Sequence, residues 1–127
     1  MKLIRILLVD DQRSVRRGLR MRLALEPDIE VVGEAGDGAE ALVSALALKP
    51  DVIVMDYEMP NMGGLEATLA LRNAGETARV VMLSIHDSAA TKQAAAAAGV
   101  RAFVCKQEPS ESLLAAIRDA AAAVEVA

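Results

Sequence analysis

Aromatic side chains are almost missing from this chain of 127 residues: one Phe, one Tyr and no Trp, or 2% of the total. A core without aromatics has to be filled by Val, Ile, Leu, Met and Ala, and hydrophobic residues reach 54%. Ala has the highest helix propensity, so this composition favours helices around aliphatic strands. Cysteine is equally scarce. Cys105 stands alone, which excludes an internal disulfide and fits a reducing compartment. Basic charge is also in deficit. The formal net charge of −4 argues against direct nucleic-acid binding by this piece, because a phosphate backbone attracts basic surfaces. No apolar run approaches the roughly 20 residues needed to span a bilayer. The N-terminal MKLIRILLVDD meets two acids and has no small-residue cleavage site, so no signal peptide is expected. The expectation is a cytoplasmic protein with no membrane attachment. Its length suits a single domain able to bury its own core.

What the sequence does contain is alternation. Short aliphatic runs occur at Leu3–Val9, Glu30–Ala35, Val52–Met55, Val80–Leu83 and Val100–Cys105. They are too short for helices, and near-continuous apolarity predicts strands buried on both faces. Helical stretches lie between them. Ser14–Leu25 carries Val15, Leu19 and Leu23 on one stripe and is stopped by Pro27. Gly38–Leu48 follows Asp37, a good N-cap. Leu65–Asn73 ends near Gly75, Ser88–Ala98 is closed by Gly99, and Ser110–Ala123 follows Pro109. Five strand–helix units predict a parallel sheet with helices on both faces. Right-handed crossovers then bring the C-terminal ends of all strands to one edge.

Those strand ends carry the chemistry. Asp10 and Asp11, Asp56, Ser84 and Lys106 each stand at the end of an apolar run. Ligands of open α/β sheets bind outside the carboxyl ends of the strands. Three crowded carboxylates resist ionising unless a cation offsets them. An oxygen-rich acidic pocket is what Mg²⁺ prefers, with Lys106 as a second positive charge. Such a pocket suits phosphoryl transfer, where the protein positions groups and offsets charge on the equatorial oxygens. A carboxylate can itself attack and form an acyl phosphate. Spacing alone leaves open which of the three acids is the nucleophile.

Several segments carry a resemblance. MDYEMPNMGGLEA resembles the phosphorylation loop of response-regulator receiver domains, and LLVDDQRSVRRGL resembles their acidic first loop. EAGDGAEAL, MLSIHD and GVRAFVCKQEPSESLLAAI resemble the stretches around their second, fourth and fifth strands. The likeness covers nearly the whole chain. It implies Asp56 as phosphoacceptor, Asp11 as a direct Mg²⁺ ligand, Asp10 acting on the metal through water, and the Glu58 backbone carbonyl completing the site. Mn²⁺ can substitute for the metal. It further implies Ser84 as the switch hydroxyl, Lys106 as the phosphoryl-binding lysine and Phe103 as the aromatic that turns inward on switching. The implied donor is a phosphohistidine on a sensor histidine kinase or phosphotransfer protein, and a homodimer is left open. The implied fold is a three-layer, doubly wound α/β sandwich, with a parallel five-stranded sheet in flavodoxin-like order 2-1-3-4-5. MLSIHD and EPSESLLAAIRDA most resemble receivers that precede a LuxR-type helix-turn-helix domain. The expected organisation is therefore one receiver domain over residues 1–127, with a DNA-binding output domain outside this chain. A stand-alone receiver acting through protein contacts is the alternative.

Three positions depart from the family pattern. Ile85 is bulky where many receivers keep a small residue and would narrow access to Asp56. Gly63 stands where Asp is frequent. Pro109 lies further from Lys106 than in the common pattern, which bears on the usual cis geometry there. His86, two residues past Ser84, would tune dephosphorylation or be a solvated loop residue. Arg13, Arg16, Arg17 and Arg20 fall on one helical face, either solvated or a docking surface for an acidic partner. Cys105 is expected to be an inert thiol. Two other classes stay in view. An aspartyl phosphatase of the haloacid-dehalogenase type would carry Asp-x-Asp rather than adjacent Asp10 and Asp11. A flavin or nucleotide module would need a Gly-, Ser- and Thr-rich first loop where DDQRS stands. The expected protein is a phosphoacceptor that promotes its own phosphorylation and dephosphorylation, not a turnover enzyme.

Overall fold

The computed structural model describes residues 2–125. Met1, Val126 and Ala127, the ends of the expected 1–127 domain, lie outside the described residues. Five strands and five helices alternate along them: β1 (Ile4–Val9), α1 (Arg13–Leu23), β2 (Ile29–Ala35), α2 (Gly38–Leu48), β3 (Val52–Asp56), α3 (Gly64–Asn73), β4 (Arg79–Ser84), α4 (Ala89–Ala97), β5 (Ala102–Cys105) and α5 (Ser110–Glu125). The strands form one sheet in the order β2-β1-β3-β4-β5, and every pairing is parallel. This is the expected doubly wound order.

The sheet separates two aliphatic cores, as the period-two alternation of a strand requires. Ile6, Leu8, Val52, Val54, Val81 and Leu83 face one side, with Leu23 of α1 and Leu113, Leu114 and Ile117 of α5. Leu7, Val9, Ile53, Met55 and Val80 face the other, with Ala41 and Ala45 of α2 and Ala67 and Leu71 of α3. Each fully buried Leu, Ile or Val contributes about 1.5–3 kcal/mol of transfer free energy. The small alanines of α2 and α3 let those helices approach the sheet without aromatic filler. α4 buries only Ala95 within its span, as α1 buries only Leu23.

The helix ends have local causes. Asp37 caps α2 by accepting from the Glu40 amide at 2.8 Å, and Lys49 closes that helix in the left-handed conformation. Ser88 caps α4 by accepting from the Thr91 amide. α1 stops at Leu23 rather than Leu25, because Leu23 is its last buried position and Leu25 is solvent-exposed. β5 starts at Ala102 rather than Val100. Gly99 takes a φ of +96°, and only from Arg101 onward do amides reach β4. Asp56 and Ser84 are the last residues of their strands rather than the first residues beyond them. Among the described residues every peptide bond is trans, including those around Pro109, so the usual cis geometry is not found here.

Candidate functional site

The C-terminal edge of the sheet brings the predicted groups together. β3 runs VIVMD with every residue buried, so Asp56 is delivered to the edge by a fully apolar strand and is itself only 6% exposed. β1 delivers Asp10, 2% exposed, while Asp11 is exposed. One carboxylate oxygen from each of Asp10, Asp11 and Asp56 lies within 4.8 Å of the others. Lys106 follows β5, and its Nζ is 3.1 Å from Asp56 Oδ1 and 3.6 Å from Asp10 Oδ2. The longer separation is an ion pair without a hydrogen bond.

Loop hydrogen bonds hold the edge in shape. The Tyr57 amide donates to the Leu83 carbonyl at 2.8 Å, and the Lys106 amide donates to the Ser84 carbonyl at 2.8 Å, extending the ladder past β3 and β5. The Gly64 amide donates to the Tyr57 carbonyl at 3.0 Å, folding the β3–α3 loop back on itself. A Cβ at Gly64 would lie 2.3 Å from the Asp56 carbonyl oxygen, so glycine is required there by close approach. The Glu58 amide points at Asp56 Oδ1 at 3.4 Å, and the Gln12 amide donates to Asp10 Oδ1 at 2.9 Å.

Burial sets the electrostatics. It is the largest influence on Asp56 and pushes its pKa above the ordinary carboxylate value; the Asp10 charge adds to this, while Lys106 opposes it. For Lys106, burial is also the largest single influence and works against the charge. The hydrogen bond and charge of Asp56, with help from Asp10, outweigh it and leave the lysine above its ordinary value. Asp10 Oδ2 is buried and accepts no hydrogen bond among the described residues. A buried carboxylate oxygen without a donor is costly, and the Lys106 ammonium, 3.6 Å away, offsets its charge without bonding it. A small divalent cation with oxygen ligands fits the donor set that Asp10, Asp11 and Asp56 present.

Ser84 is fully buried, and its Oγ accepts the His86 amide at 2.9 Å, so the hydroxyl proton remains to be donated. The His86 imidazole pairs with the Glu58 carboxylate, linking the β4–α4 and β3–α3 loops. Ile85 is 53% exposed and points away from the core. Phe103 is half-buried on β5, between a cleft under α5 and a second beside Lys92 and Gln107. Cys105 is a free, half-buried thiol whose Sγ meets the Gln107 side chain. The arginine face of α1 is not uniformly available to a partner. Arg16 and Arg20 both bind Glu34 at the end of β2, while Arg13 and Arg17 are exposed. The Glu58–His86 pair and Arg16, which donates to the Asp10 carbonyl at 2.6 Å, were not foreseen as parts of one edge. A helical charge stripe signals a surface, but nothing in its spacing signals which strand end it reaches.

A doubly wound sheet with this pocket at its C-terminal edge defines a receiver. The chain matches the response regulator receiver domain over residues 6–118 and belongs to that family. It is 42% identical over 113 residues to the nitrate/nitrite response regulator protein NarP of Escherichia coli strain K12, covering 89% of this chain and 53% of NarP. It is also 42% identical over 114 residues to a protein-glutamate methylesterase/protein-glutamine glutaminase of Thermotoga maritima, covering 88% of this chain and 33% of that one. The crystal structure of a two-component response regulator of the LuxR family from Aurantimonas superposes with a TM-score of 0.92 at 35% identity, covering 96% of this chain and 87% of that one. The chain therefore spans about half the length of NarP, and a third of the methylesterase. Among the described residues no helix is long and apolar enough to cross a membrane.

Proposed function

We propose that this receiver takes a phosphoryl group from a phosphohistidine onto Asp56, in a Mg²⁺-dependent reaction, and passes the change to an output domain that regulates transcription. The donor is a sensor histidine kinase or a phosphotransfer protein. One observation carries the choice of Asp56. Its Oδ1 is held by Lys106 and faces the Glu58 amide, while no hydrogen bond within the described residues engages Oδ2. Asp10, by contrast, has Oδ1 bonded to Gln12 and Oδ2 buried. Asp56 is the acid oriented at one oxygen and free at the other.

In the step itself, Asp56 Oδ2 attacks phosphorus as the phosphorus–nitrogen bond of the donor breaks, and the electron pair leaves on the imidazole nitrogen. When bound, Mg²⁺ supplies positive charge to the phosphoryl oxygens and screens the three carboxylates from one another. Lys106 offers its ammonium to a second phosphoryl oxygen. Ser84 turns its hydroxyl to a third, which draws on the backbone that now holds His86. The β4–α4 loop follows, and Phe103 takes the space vacated behind it. The phosphoryl group thus biases an existing equilibrium through contacts made in only one state. The surface that changes is α4, β5 and α5. Similarity to NarP and to a LuxR-family regulator supports a DNA-binding output, and the acidic net charge agrees with DNA contact lying elsewhere. The likeness to the methylesterase receiver means that sequence similarity of this size is shared with a different output.

Intact-mass measurement after incubation with acetyl phosphate tests the reading. The expected result is a single phosphoryl adduct on the wild type, dependent on Mg²⁺ and released by hydroxylamine. Asp56→Asn should carry none. Equal labelling of Asp56→Asn would overturn the assignment.

A further inference from the structure

We infer that Arg16 is a positioning residue for the acidic pocket: by clasping the Asp10 carbonyl to Glu34, it sets how well the pocket holds its divalent cation. The inference rests on the Mg²⁺ reading above and extends it to a side chain that never touches the metal. Arg16 lies in the first turn of α1, with its side chain only 15% exposed. Its guanidinium works in two directions. Nη1 donates to the Asp10 carbonyl at 2.6 Å, and Nε donates to Glu34 Oε1 at 3.0 Å. Glu34 is in turn oriented by Arg20, whose Nε donates to Oε2 at 2.8 Å. Burial works against the Glu34 charge as the largest single influence, but the two arginines together outweigh it and hold the carboxyl below its ordinary range.

The consequence falls on Asp10. Its amide donates to the Ala35 carbonyl at 3.1 Å, its carbonyl accepts Arg16, and its Oδ1 accepts the Gln12 amide at 2.9 Å. Three of its polar groups are thereby fixed, and the remaining one, Oδ2, is buried and without a donor among the described residues. The peptide that Arg16 grips is the one joining Asp10 to Asp11. Releasing it would free both acids to swing apart, as mutual repulsion favours. Only a planar fork can satisfy a carbonyl and a carboxylate in different directions at once; a lysine ammonium offers a single charged point on a flexible stem.

Calorimetric titration of the full chain with Mg²⁺ tests this, paired with metal-free thermal unfolding. Partners that orient metal ligands typically change affinity by about tenfold or more when removed. Arg16→Gln should therefore weaken Mg²⁺ binding about tenfold, Arg16→Lys should weaken it nearly as much, and Glu34→Gln should weaken it less but in the same direction. Arg118→Gln, which breaks an ion pair remote from the pocket, should lower the unfolding midpoint and leave Mg²⁺ affinity unchanged. Unchanged affinity in both Arg16→Gln and Glu34→Gln would overturn the inference. So would equal weakening by Arg118→Gln, since the effect would then be general loosening. A wild type that does not bind Mg²⁺ would overturn the metal reading itself.

Discussion

Asp56 is a carboxylate held in its folded environment at an energetic disadvantage. Burial, then the Asp10 charge, raise its pKa above the ordinary 3.8, and Lys106 only partly offsets them. A group with a raised folded pKa contributes stability below its unfolded value and loses that contribution as pH rises through the folded value. In metal-free protein, Asp56→Asn should therefore have a higher unfolding midpoint than the wild type at pH 7, and the advantage should shrink towards pH 4. Thermal melts in chelator across that range check this; a mutant less stable at pH 7 would show that the Lys106 pair dominates instead. The acids, Ser84 and Lys106 were legible in the sequence because each interrupts an apolar run at the end of a strand. The choice among the acids was not. Spacing leaves it open, and Asp56 is singled out through the resemblance of MDYEMPNMGGLEA to the family's phosphorylation loop. Arg16 was visible only as one of four arginines on a helical face.

At the scale of elements, the site is a set of loops held to a rigid sheet edge. Gly64 shows how tight the fit is, since even a methyl group would press on the Asp56 carbonyl. Gly64→Ala should cost about 1–3 kcal/mol, the usual range for overpacking. It should also slow phosphorylation, because the displaced carbonyl belongs to Asp56, the proposed acceptor. Urea unfolding and the acetyl phosphate reaction measure the two effects separately. At the far end of α1, Arg118 of α5 donates to Asp28 and Glu26, tying two elements distant in sequence. The Arg118 hydrogen bond is the largest influence lowering the pKa of each acid. Lowered carboxylates contribute stability above their unfolded values, 4.5 and 3.8, and lose it as pH falls through the folded values. Arg118→Ala should therefore be less stable than the wild type at pH 7, and the gap should close in acid. Element order was readable from alternation alone. Boundaries were not, because strand ends follow from which amides find a neighbouring strand, and β5 lost Val100 for that reason.

For the molecule as a whole, the two cores behave differently. One packs Leu, Ile and Val from α1 and α5 against the sheet, and the other relies on the small side chains of α2 and α3. α4 sits beside β5 and buries only Ala95 within its span, and the chain leads into it directly from Ser84 at the end of β4. Beryllofluoride with Mg²⁺ should therefore shift amide resonances in α4 and around Phe103, and leave β1 and β3 beyond the pocket largely unmoved. Shifts confined to the pocket would contradict a switch that reaches the output face. All of this depends on one covalent event at one residue. Borohydride reduction of the acetyl phosphate-treated protein converts an aspartyl phosphate to homoserine, and peptide mass mapping locates it. The account predicts homoserine at position 56 only, and only when Mg²⁺ was present. Homoserine at position 10 or 11, or at 56 without metal, would contradict it.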